Sequence, residues 1–411
     1  MTQRIVVTGL GCIGSLGTGT EQFKSGLLSG CSGIAPISTF DTTHYHSHRA
    51  GVLQNFDAAA FIDPARLRRV DHIGRLVLSA CRLALDDARL THLAEVGREQ
   101  IGVALGSSTV GMRSTVEYLD SLMAHGPVGA SPFLFSSTVG NAAASLCGIE
   151  FGLRGPNITV TNKEASSLAA VSAAYRLLKH RHANAIVTGG GDEVEEVYYS
   201  VLDRFGVMSP MDGGEEASRP FDRRRNGFVL GEGGYLLVLE RLTSATSRGS
   251  EWYGEVLGIG SSSSTGALNQ WPTTSAQLTS CMREALRASR VSETDVAVVF
   301  ASANATQLDR VEANALLDVF GRSGVPVVSL KGALGEFGGT GAASAVAALL
   351  CLRDGMIPPT VGCDEPDPDL GLNVASSTRP IPIGARGTVA LINSFSSGGT
   401  NYSIVIRANP A

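Results

Sequence analysis

Two glutamates lie in predicted turns where a carboxylate could act as an acid or a base. Glu164 follows a short apolar strand, lies at a sharp elbow and precedes a helix rich in small residues. Glu336 lies in a glycine-rich turn that begins at Lys331. Two buried carboxyl groups that lie close together raise the pKa of one of them unless a cation intervenes. The pair is therefore a candidate dyad in which Glu164 is the catalytic base.

Each glutamate also has a structural interpretation, which we favour. A glutamate in the first turn of a helix interacts favourably with the helix dipole, by roughly 0.3–1 kcal/mol. Asn162 is a candidate cap for that helix. Lys163 or Lys331 would pair with the charge of Glu164, and Glu336 would bond to Lys331. Both acids would then hold a site together without performing chemistry in it.

Short apolar runs alternate with helical patterns along the chain, which indicates an α/β layered fold. The first strand, residues 5–7, is expected to end at Gly9 and Gly11. Helices are predicted over residues 74–88, 165–179 and 341–352. The other predicted strands are residues 101–105, 158–160, 186–191, 235–239, 296–300, 326–330, 389–393 and 402–406.

The two halves of the chain repeat one theme. A strand, a glycine-rich or sharp turn and a small-residue helix occur around residue 164 and again around residue 340. This repeat predicts a duplicated αβαβα arrangement, with two mixed sheets around buried small-residue helices. The join is expected in the polar stretch 243–250, which gives halves at 1–250 and 251–411.

Composition excludes several classes of function. The chain has 411 residues, of which 43% are hydrophobic and 17% charged, and its net charge of −5 disfavours a nucleic-acid surface. No apolar run reaches about 18 residues, so we expect no membrane segment, and no secretory leader is recognised. Four arginines, at positions 219, 223, 224 and 225, would form either a solvated loop, which we favour, or a dock for an acidic carrier protein.

No metal or cofactor is expected. The seven cysteines are scattered, with no metal-ligand spacing, which indicates a reducing compartment, and we expect a cytoplasmic protein. His44, His46 and His48 alternate and would share one face of a strand, but without a nearby carboxylate or cysteine a polar loop is favoured over a metal site. We assign no function to His180 and His182.

Several longer motifs occur in order along the chain. Residues 4–11 read RIVVTGLG, residues 151–156 read FGLRGP, residues 218–222 read SRPFD, residues 227–233 read GFVLGEG and residues 393–401 read NSFSSGGTN. Together they resemble the condensing enzymes of the thiolase fold, specifically the elongating β-ketoacyl-carrier-protein synthases. The resemblance covers nearly the whole chain and implies that fold.

The resemblance also implies a reaction whose reactive groups are missing here. In the family a cysteine accepts the acyl chain, and two histidines stabilise the enolate formed by decarboxylation. The cysteine position is Glu164, and the histidine positions are Ala301 and Glu336, although Lys331 matches the family pattern. All eight histidines fall between positions 44 and 182, so the C-terminal half has none. A gating phenylalanine of the family is replaced by Ser397.

One branch of the family fits these losses: the chain length factor, or ketosynthase-β subunit, of type II polyketide synthases. The expected partners are an active ketosynthase in a heterodimer, an acyl carrier protein and the growing polyketide or fatty-acyl chain. By the resemblance, the segment 110–135 would form the dimer interface and line the acyl tunnel, with ordinary core packing as the alternative. Its candidate residues are Met112, Tyr118, Phe133 and Phe135.

Two other functions remain open at this stage. One is a standalone malonyl-carrier decarboxylase or acyltransferase that uses Glu164. The other is a homodimer that scaffolds carrier proteins.

Overall fold

The computed structural model describes residues 3–91, 95–267, 269–322, 324–381 and 389–409. Residues 1 and 411, the outer ends of the two predicted halves, lie outside the described residues. The strands are β1 Ile5–Gly14, β2 Gly17–Thr18, β3 Ile34–Pro36, β4 Arg49–Gly51, β5 Ile101–Gly106, β6 Asn157–Val160, β7 Ala185–Asp192, β8 Gly233–Arg241, β9 Gly254–Ser263, β10 Val298–Phe300, β11 Pro326–Val328, β12 Met356–Ile357, β13 Asn373–Val374, β14 Arg379–Pro380, β15 Val389–Phe395 and β16 Thr400–Ala408.

Helices occupy most of the connections between these strands. Short 3₁₀ turns cover Ala58–Ala60, Gly126–Gly129, Lys163–Ala165, Glu293–Asp295 and Pro368–Leu370. The α-helices are α1 Thr20–Leu28, α2 Pro64–Leu67, α3 His72–Asp87, α4 Glu95–Arg98, α5 Met112–His125, α6 Pro132–Ser137, α7 Ala142–Phe151, α8 Ser166–Lys179, α9 Glu196–Arg204, α10 Leu242–Ser247, α11 Ala276–Ser289, α12 Leu308–Phe320, α13 Lys331–Leu334 and α14 Thr340–Arg353.

The strands repeat one topology in the two halves of the chain. In the first half the order is β1-β8-β7-β5-β6, with β7, β5 and β6 parallel and the other neighbours antiparallel. In the second half the order is β9-β16-β15-β10-β11-β13, with the same directions in the matching places. The expected duplication is therefore visible in the strand order. Helix α10 occupies most of the stretch in which the join was expected.

The two expected mixed sheets are joined into one, which corrects that detail of the prediction. Over the described residues the main sheet has 12 strands, because β9 pairs antiparallel with β1 over Val256 to Gly254 and thereby connects the two halves. The physical reason is that β1 offers backbone groups on both edges, to β8 on one side and to β9 on the other.

Two small-residue helices form the middle layer of the molecule. The largest apolar cluster joins α8 and α14 to strands of both halves, and α14 is buried along almost its whole length. A second cluster packs α3 and α7 on the outer face of the first half, and a third packs α11 and α12 on the outer face of the second. A Cβ on Gly341 would lie 2.7 Å from Leu168 Cγ, so small side chains allow α8 and α14 to approach closely.

Strand β1 continues through the glycines that were expected to end it. A Cβ at Gly9 would lie 2.2 Å from the carbonyl oxygen of Ala84, and one at Gly11 would lie 1.9 Å from that of Ala80. These glycines therefore permit contact between β1 and the backbone of α3, and they do not mark a turn.

All seven cysteines are free, and Cys31 is exposed while the others are buried. No helix in the described part of the chain is both long and apolar enough to cross a membrane.

Candidate functional site

Glu164 lies at the tip of the elbow between β6 and α8. A 3₁₀ turn, Lys163–Ala165, makes the bend, and Lys163 has a left-handed φ of 49°. A residue other than glycine rarely adopts this conformation, which costs of order 1–3 kcal/mol. The side chain of Asn162 makes no capping hydrogen bond, contrary to the expectation. Instead, the Ser166 hydroxyl accepts from Asn162 N at 2.8 Å and donates to the Lys163 carbonyl at 2.6 Å.

The carboxylate of Glu164 is held by serine donors. Ser397 donates its backbone N–H to Oε2 at 3.1 Å and its hydroxyl to Oε1 at 3.1 Å. Ser394 donates its hydroxyl to the Glu164 backbone carbonyl at 2.9 Å. Ser394 lies near the end of β15 and Ser397 lies in the turn that follows, so the elbow contacts the C-terminal glycine loop.

The expected lysine partners of Glu164 are engaged elsewhere. Lys163 Nζ donates to the Ser397 hydroxyl at 3.3 Å and also bonds to the side chain of Asn269. Lys331 Nζ lies 2.7 Å from Glu336 Oε2, as the structural interpretation of Glu336 predicted. Among the described residues, no ion pair within 4 Å reaches the Glu164 carboxylate. Its charge is stabilised by hydrogen bonds.

Glu336 is buried in the turn after α13 and is only 2% exposed. Its Oε2 accepts from Lys331 and from Asn304 Nδ2 at 2.8 Å, whereas its buried Oε1 has no hydrogen-bond partner. Burial raises the pKa of Glu336 to about 7, against the lowering effect of Lys331, and the negative charge of Glu164 raises it further. The charge of Glu164 thus adds to the effect of burial on Glu336, although the cation of Lys331 opposes it.

Ala301 lies in a tightly bonded loop and contributes no donor from its methyl side chain. It is 3% exposed, and its N–H donates to the Val328 carbonyl at 2.7 Å. Asp309 accepts from the N–H groups of Asn304 and Ala305, and Glu312 accepts from that of Ser302. Burial raises the pKa of Asp309 to about 6 and that of Glu312 to about 7. Asp309 and Glu312 therefore hold the conformation of this loop through hydrogen bonds from its backbone N–H groups.

Two cavities meet at Glu164. The outer cavity, of about 460 Å³, is lined by Lys163, Glu164 and Ser397 at one end and by apolar side chains such as Phe205 and Trp271. The inner cavity, of about 30 Å³, is lined by Glu164, Glu336 and two more acids, residues 192 and 193. Tyr198 lines both cavities. Among the described residues, no cysteine or histidine lines either one, so neither offers a thiolate or an imidazole.

Sequence reasoning missed several residues of this site. Asp192 accepts hydrogen bonds from Ser108 N at 2.7 Å and from Gly338 N at 2.7 Å, and so ties the turn after β5 to the turn before α14. Tyr198 lies on α9, which showed no catalytic motif. Asn304 lies three positions after Ala301, but nothing in the sequence showed that its amide contacts Glu336.

The candidate tunnel residues lie on a separate surface. Met112 and Tyr118 are partly buried on α5, while Phe133 and Phe135 on α6 are 67% and 55% exposed. Ordinary core packing is therefore wrong for the two phenylalanines. The rings of Tyr118 and Phe135 lie 5.7 Å apart, which joins α5 to α6. None of the four lines the inner or the outer cavity.

Acidic side chains lie beside His46 and beside the four clustered arginines. His46 lies 3.1 Å from Asp203, and the described residues contain no group of three or more histidine, cysteine and acidic side chains placed to hold a metal. The four clustered arginines are engaged in ion pairs, Arg219 with Glu215, Arg223 with Glu365, Arg224 with Asp222 and Asp364, and Arg225 with Asp367. The side chains of Arg223 and Arg224 are exposed to solvent, as the favoured prediction expects, whereas those of Arg219 and Arg225 are largely buried.

Models of a known protein family match most of this chain. A model described as "Beta-ketoacyl synthase, N-terminal domain" matches residues 2–245, and "Beta-ketoacyl synthase, C-terminal domain" matches residues 253–364. Proteins named 3-oxoacyl-(acyl-carrier-protein) synthase 2 are similar along nearly their whole length. The one from Coxiella burnetii is 31% identical over 98% of both chains, and that from Vibrio cholerae is 32% identical over 98% of this chain and 99% of its own.

Solved structures match the whole fold. "The ishigamide ketosynthase/chain length factor" superposes with a TM-score of 0.91 and 29% identity over all of both chains. A β-ketoacyl synthase from Burkholderia phymatum superposes with a TM-score of 0.89 and 25% identity over 99% of this chain and all of its own. The thiolase-like fold predicted from sequence is therefore confirmed.

Proposed function

Because the chain belongs to the β-ketoacyl synthase family, we propose that it is a non-catalytic chain length factor. It would pair with an active ketosynthase, receive a growing chain from an acyl carrier protein through that partner, and shape the tunnel that sets polyketide or polyene chain length. The proposal goes beyond the family assignment, since the curated relatives carry the name of a synthase.

The residue at the elbow between β6 and α8 supports the proposal most directly. The position that corresponds to the family's nucleophile holds Glu164, whose carboxylate accepts two hydrogen bonds from Ser397. A carboxylate that attacked a thioester would give an anhydride, which is a poor acyl carrier. The neighbouring positions hold Ala301 and an acid paired with Lys331, so neither supplies the imidazole donor that stabilises an enolate in the family.

A second observation favours a partner subunit. Leu119 and Met123 on α5, Val128 in the following turn, and Phe133 and Phe135 on α6 are 46–97% exposed. Grouped large apolar side chains of this kind mark interaction surfaces in soluble proteins.

Strand β6, which follows α6 and α7 in the chain, lies at one end of the strand order. An edge strand presents unpaired backbone groups that another chain can bind. The edge and the apolar helices together favour a subunit interface, and the similar structure titled as a ketosynthase/chain length factor supports the choice of partner.

Two alternatives predict different behaviour. A standalone malonyl-carrier decarboxylase or acyltransferase would use Glu164 as its reactive group, with the outer cavity as its substrate channel. A scaffolding homodimer for carrier proteins would use the same apolar face for a second copy of this chain.

Native mass spectrometry after co-expression with a cysteine-bearing ketosynthase tests the proposal. A one-to-one complex that extends acyl chains, and that loses extension when the partner's cysteine is replaced, is the expected result. A homodimer that ignores the ketosynthase favours the scaffold. Release of CO₂ from malonyl-carrier by this chain alone, abolished in Glu164→Ala, favours the decarboxylase.

A further inference from the structure

Glu193 is a buried acid that the proposed function does not use. It directly follows β7, lines the inner cavity and is 2% exposed. Its Oε1 accepts a long hydrogen bond of 3.3 Å from the backbone N–H of Arg113 in the first turn of α5. Its Oε2 is buried and has no hydrogen-bond partner. Glu193 therefore links the inner cavity to the start of α5.

The guanidinium of Arg113 lies beside Glu193 but makes no hydrogen bond to its carboxyl group. Arg113 Nε lies 3.8 Å from Glu193 Oε2, beyond hydrogen-bond distance, and Arg113 Nη2 donates to the Val194 carbonyl at 3.3 Å instead. An ionised pair normally forms charge-assisted bonds of about 2.7–2.9 Å. Glu193 Oε2 lacks such a bond, so the geometry favours the neutral state of the acid over the ionised state.

The charges around Glu193 favour the same state. Asp71 precedes α3, Asp192 ends β7, Glu164 and Glu336 line the same cavity, and Tyr198 adds a phenol from α9. On the opposing side are Arg113 and His72, and His72 Nε2 lies 3.1 Å from Glu232 Oε2. Carboxyl groups outnumber the basic side chains here, so a proton on Glu193 avoids a buried and weakly paired negative charge.

We propose that Glu193 is a proton-binding site that holds the first turn of α5 against the inner cavity. In the neutral state it occupies the cavity without a charge, while its Oε1 still accepts from Arg113 N. When the proton leaves, the buried carboxylate needs water, and separation of α5 from β7 supplies that water. Burial raises the pKa of Glu193 to about 7, which agrees with this assignment.

The sign of the pH effect follows from the two states. The closed state holds the proton up to about pH 7, whereas an opened state that hydrates Glu193 releases it near the ordinary value of 4.5. Protons therefore favour closure. Between about pH 5 and pH 7 the equilibrium constant for opening rises about tenfold per pH unit, and above pH 7 it becomes constant.

Hydrogen exchange followed by mass spectrometry tests this assignment on the full chain, without any partner. Exchange of amides in α5 is measured from pH 5 to pH 8.5 and corrected for the intrinsic rate. The wild type is expected to lose protection about tenfold per pH unit up to pH 7. Glu193→Gln keeps an acceptor for Arg113 N and an uncharged donor in place of the acid, so its protection is expected to stay high and independent of pH.

Two comparisons make the result decisive. Glu117→Gln changes an exposed acid on α5 itself and should behave as the wild type. Exchange in β1 and β8 reports whether each variant is folded. A pH-independent wild type, or a Glu193→Gln variant with the slope of the wild type, would overturn the proposal. Neither outcome depends on whether the chain is a chain length factor.

Discussion

Ser397 donates both its backbone N–H and its hydroxyl to the carboxylate of Glu164, at 3.1 Å each. The two residues lie 233 positions apart in the chain. The sequence predicts that Glu164 and Ser397 stand at the family's nucleophile and gate positions, and in the fold these two side chains bond to one another. This contact explains how a half-buried carboxylate is tolerated at this elbow with no lysine within ion-pair distance among the described residues.

Removal of the Ser397 hydroxyl should destabilise the elbow modestly. Ser397→Ala loses the bond to Oε1 but keeps the backbone donor, so we expect a loss of about 0.5–1.5 kcal/mol in the free energy of unfolding, measured by urea denaturation. In a Glu164→Ala background the same change should cost less, because the acceptor is gone and only the bond from Lys163 Nζ remains to be lost. Equal losses in both backgrounds would show that the two side chains are not coupled.

Lys331 and Glu336 form a buried ion pair whose halves depend on one another. Lys331→Met should destabilise the chain by about 3–5 kcal/mol at pH 8, because the carboxylate is left unpaired in the interior. The cost should shrink at pH 6, where Glu336 takes up a proton. The double variant Lys331→Met/Glu336→Leu should recover most of the loss. Additive effects of the single variants, measured by denaturation at both pH values, would contradict this coupling.

The sequence predicted some of these contacts and could not predict others. Lys331 begins α13 and Glu336 follows that short helix, five positions later, so the sequence could predict a local bond between them. The pairing of Glu164 with Ser397 needs the fold, because it depends on where two distant turns meet.

Backbone contacts were the harder part of the fold to predict. Gly9 and Gly11 indicated a turn in the sequence, but the real reason for them is the approach of α3 to β1, which no local pattern shows. The single continuous sheet has the same origin, since three residue pairs between β1 and β9 join its halves. Division of the chain at residue 250 stays a prediction.

Stability should fall as the pH rises through the acid range. Burial raises the pKa of Glu312 to about 7 from an ordinary value of 4.5. The native state therefore holds a proton that the unfolded state has released, and this contribution is lost between about pH 4.5 and pH 7 at about 1.4 kcal/mol per pH unit. Glu312→Gln should remove this share of the slope and leave the similar shares of Glu193 and Glu336 in place.

Urea denaturation between pH 4.5 and pH 8 measures this effect, with Glu284→Gln as the control. Arg287 lowers the pKa of Glu284, so that residue titrates below the window and its variant should follow the wild type. If Glu312→Gln keeps the full slope of the wild type, the proton resides on another acid.

The chain length of the product should depend on side chains of α5 and α6, if the chain pairs with a ketosynthase as proposed. Met112 and Phe133 are candidate tunnel residues on α5 and α6. Met112→Phe should shorten the products of the ketosynthase complex, because a larger side chain reduces the available depth, and Phe133→Ala should lengthen them. Met211→Ala, which alters an apolar side chain that is 56% exposed in another loop, serves as the control. Unchanged lengths with an intact complex would remove these residues from the tunnel.

Glu164 should be dispensable for chain extension but not for the local structure. Glu164→Gln keeps an acceptor for the Ser397 donors while removing the charge and the basicity. If the chain is non-catalytic, a complex that contains Glu164→Gln should extend acyl chains at a rate close to that of the wild type, because the partner supplies the nucleophile. The isolated chain should release no CO₂ from malonyl-carrier, since neither Ala301 nor the Lys331-bound Glu336 supplies an imidazole donor for an enolate. Product analysis and CO₂ release, each measured with the intact mass of the complex, check both statements. Loss of extension in a fully assembled Glu164→Gln complex would give the carboxylate a role in the reaction, and the elbow would then be an altered active site and not a lost one.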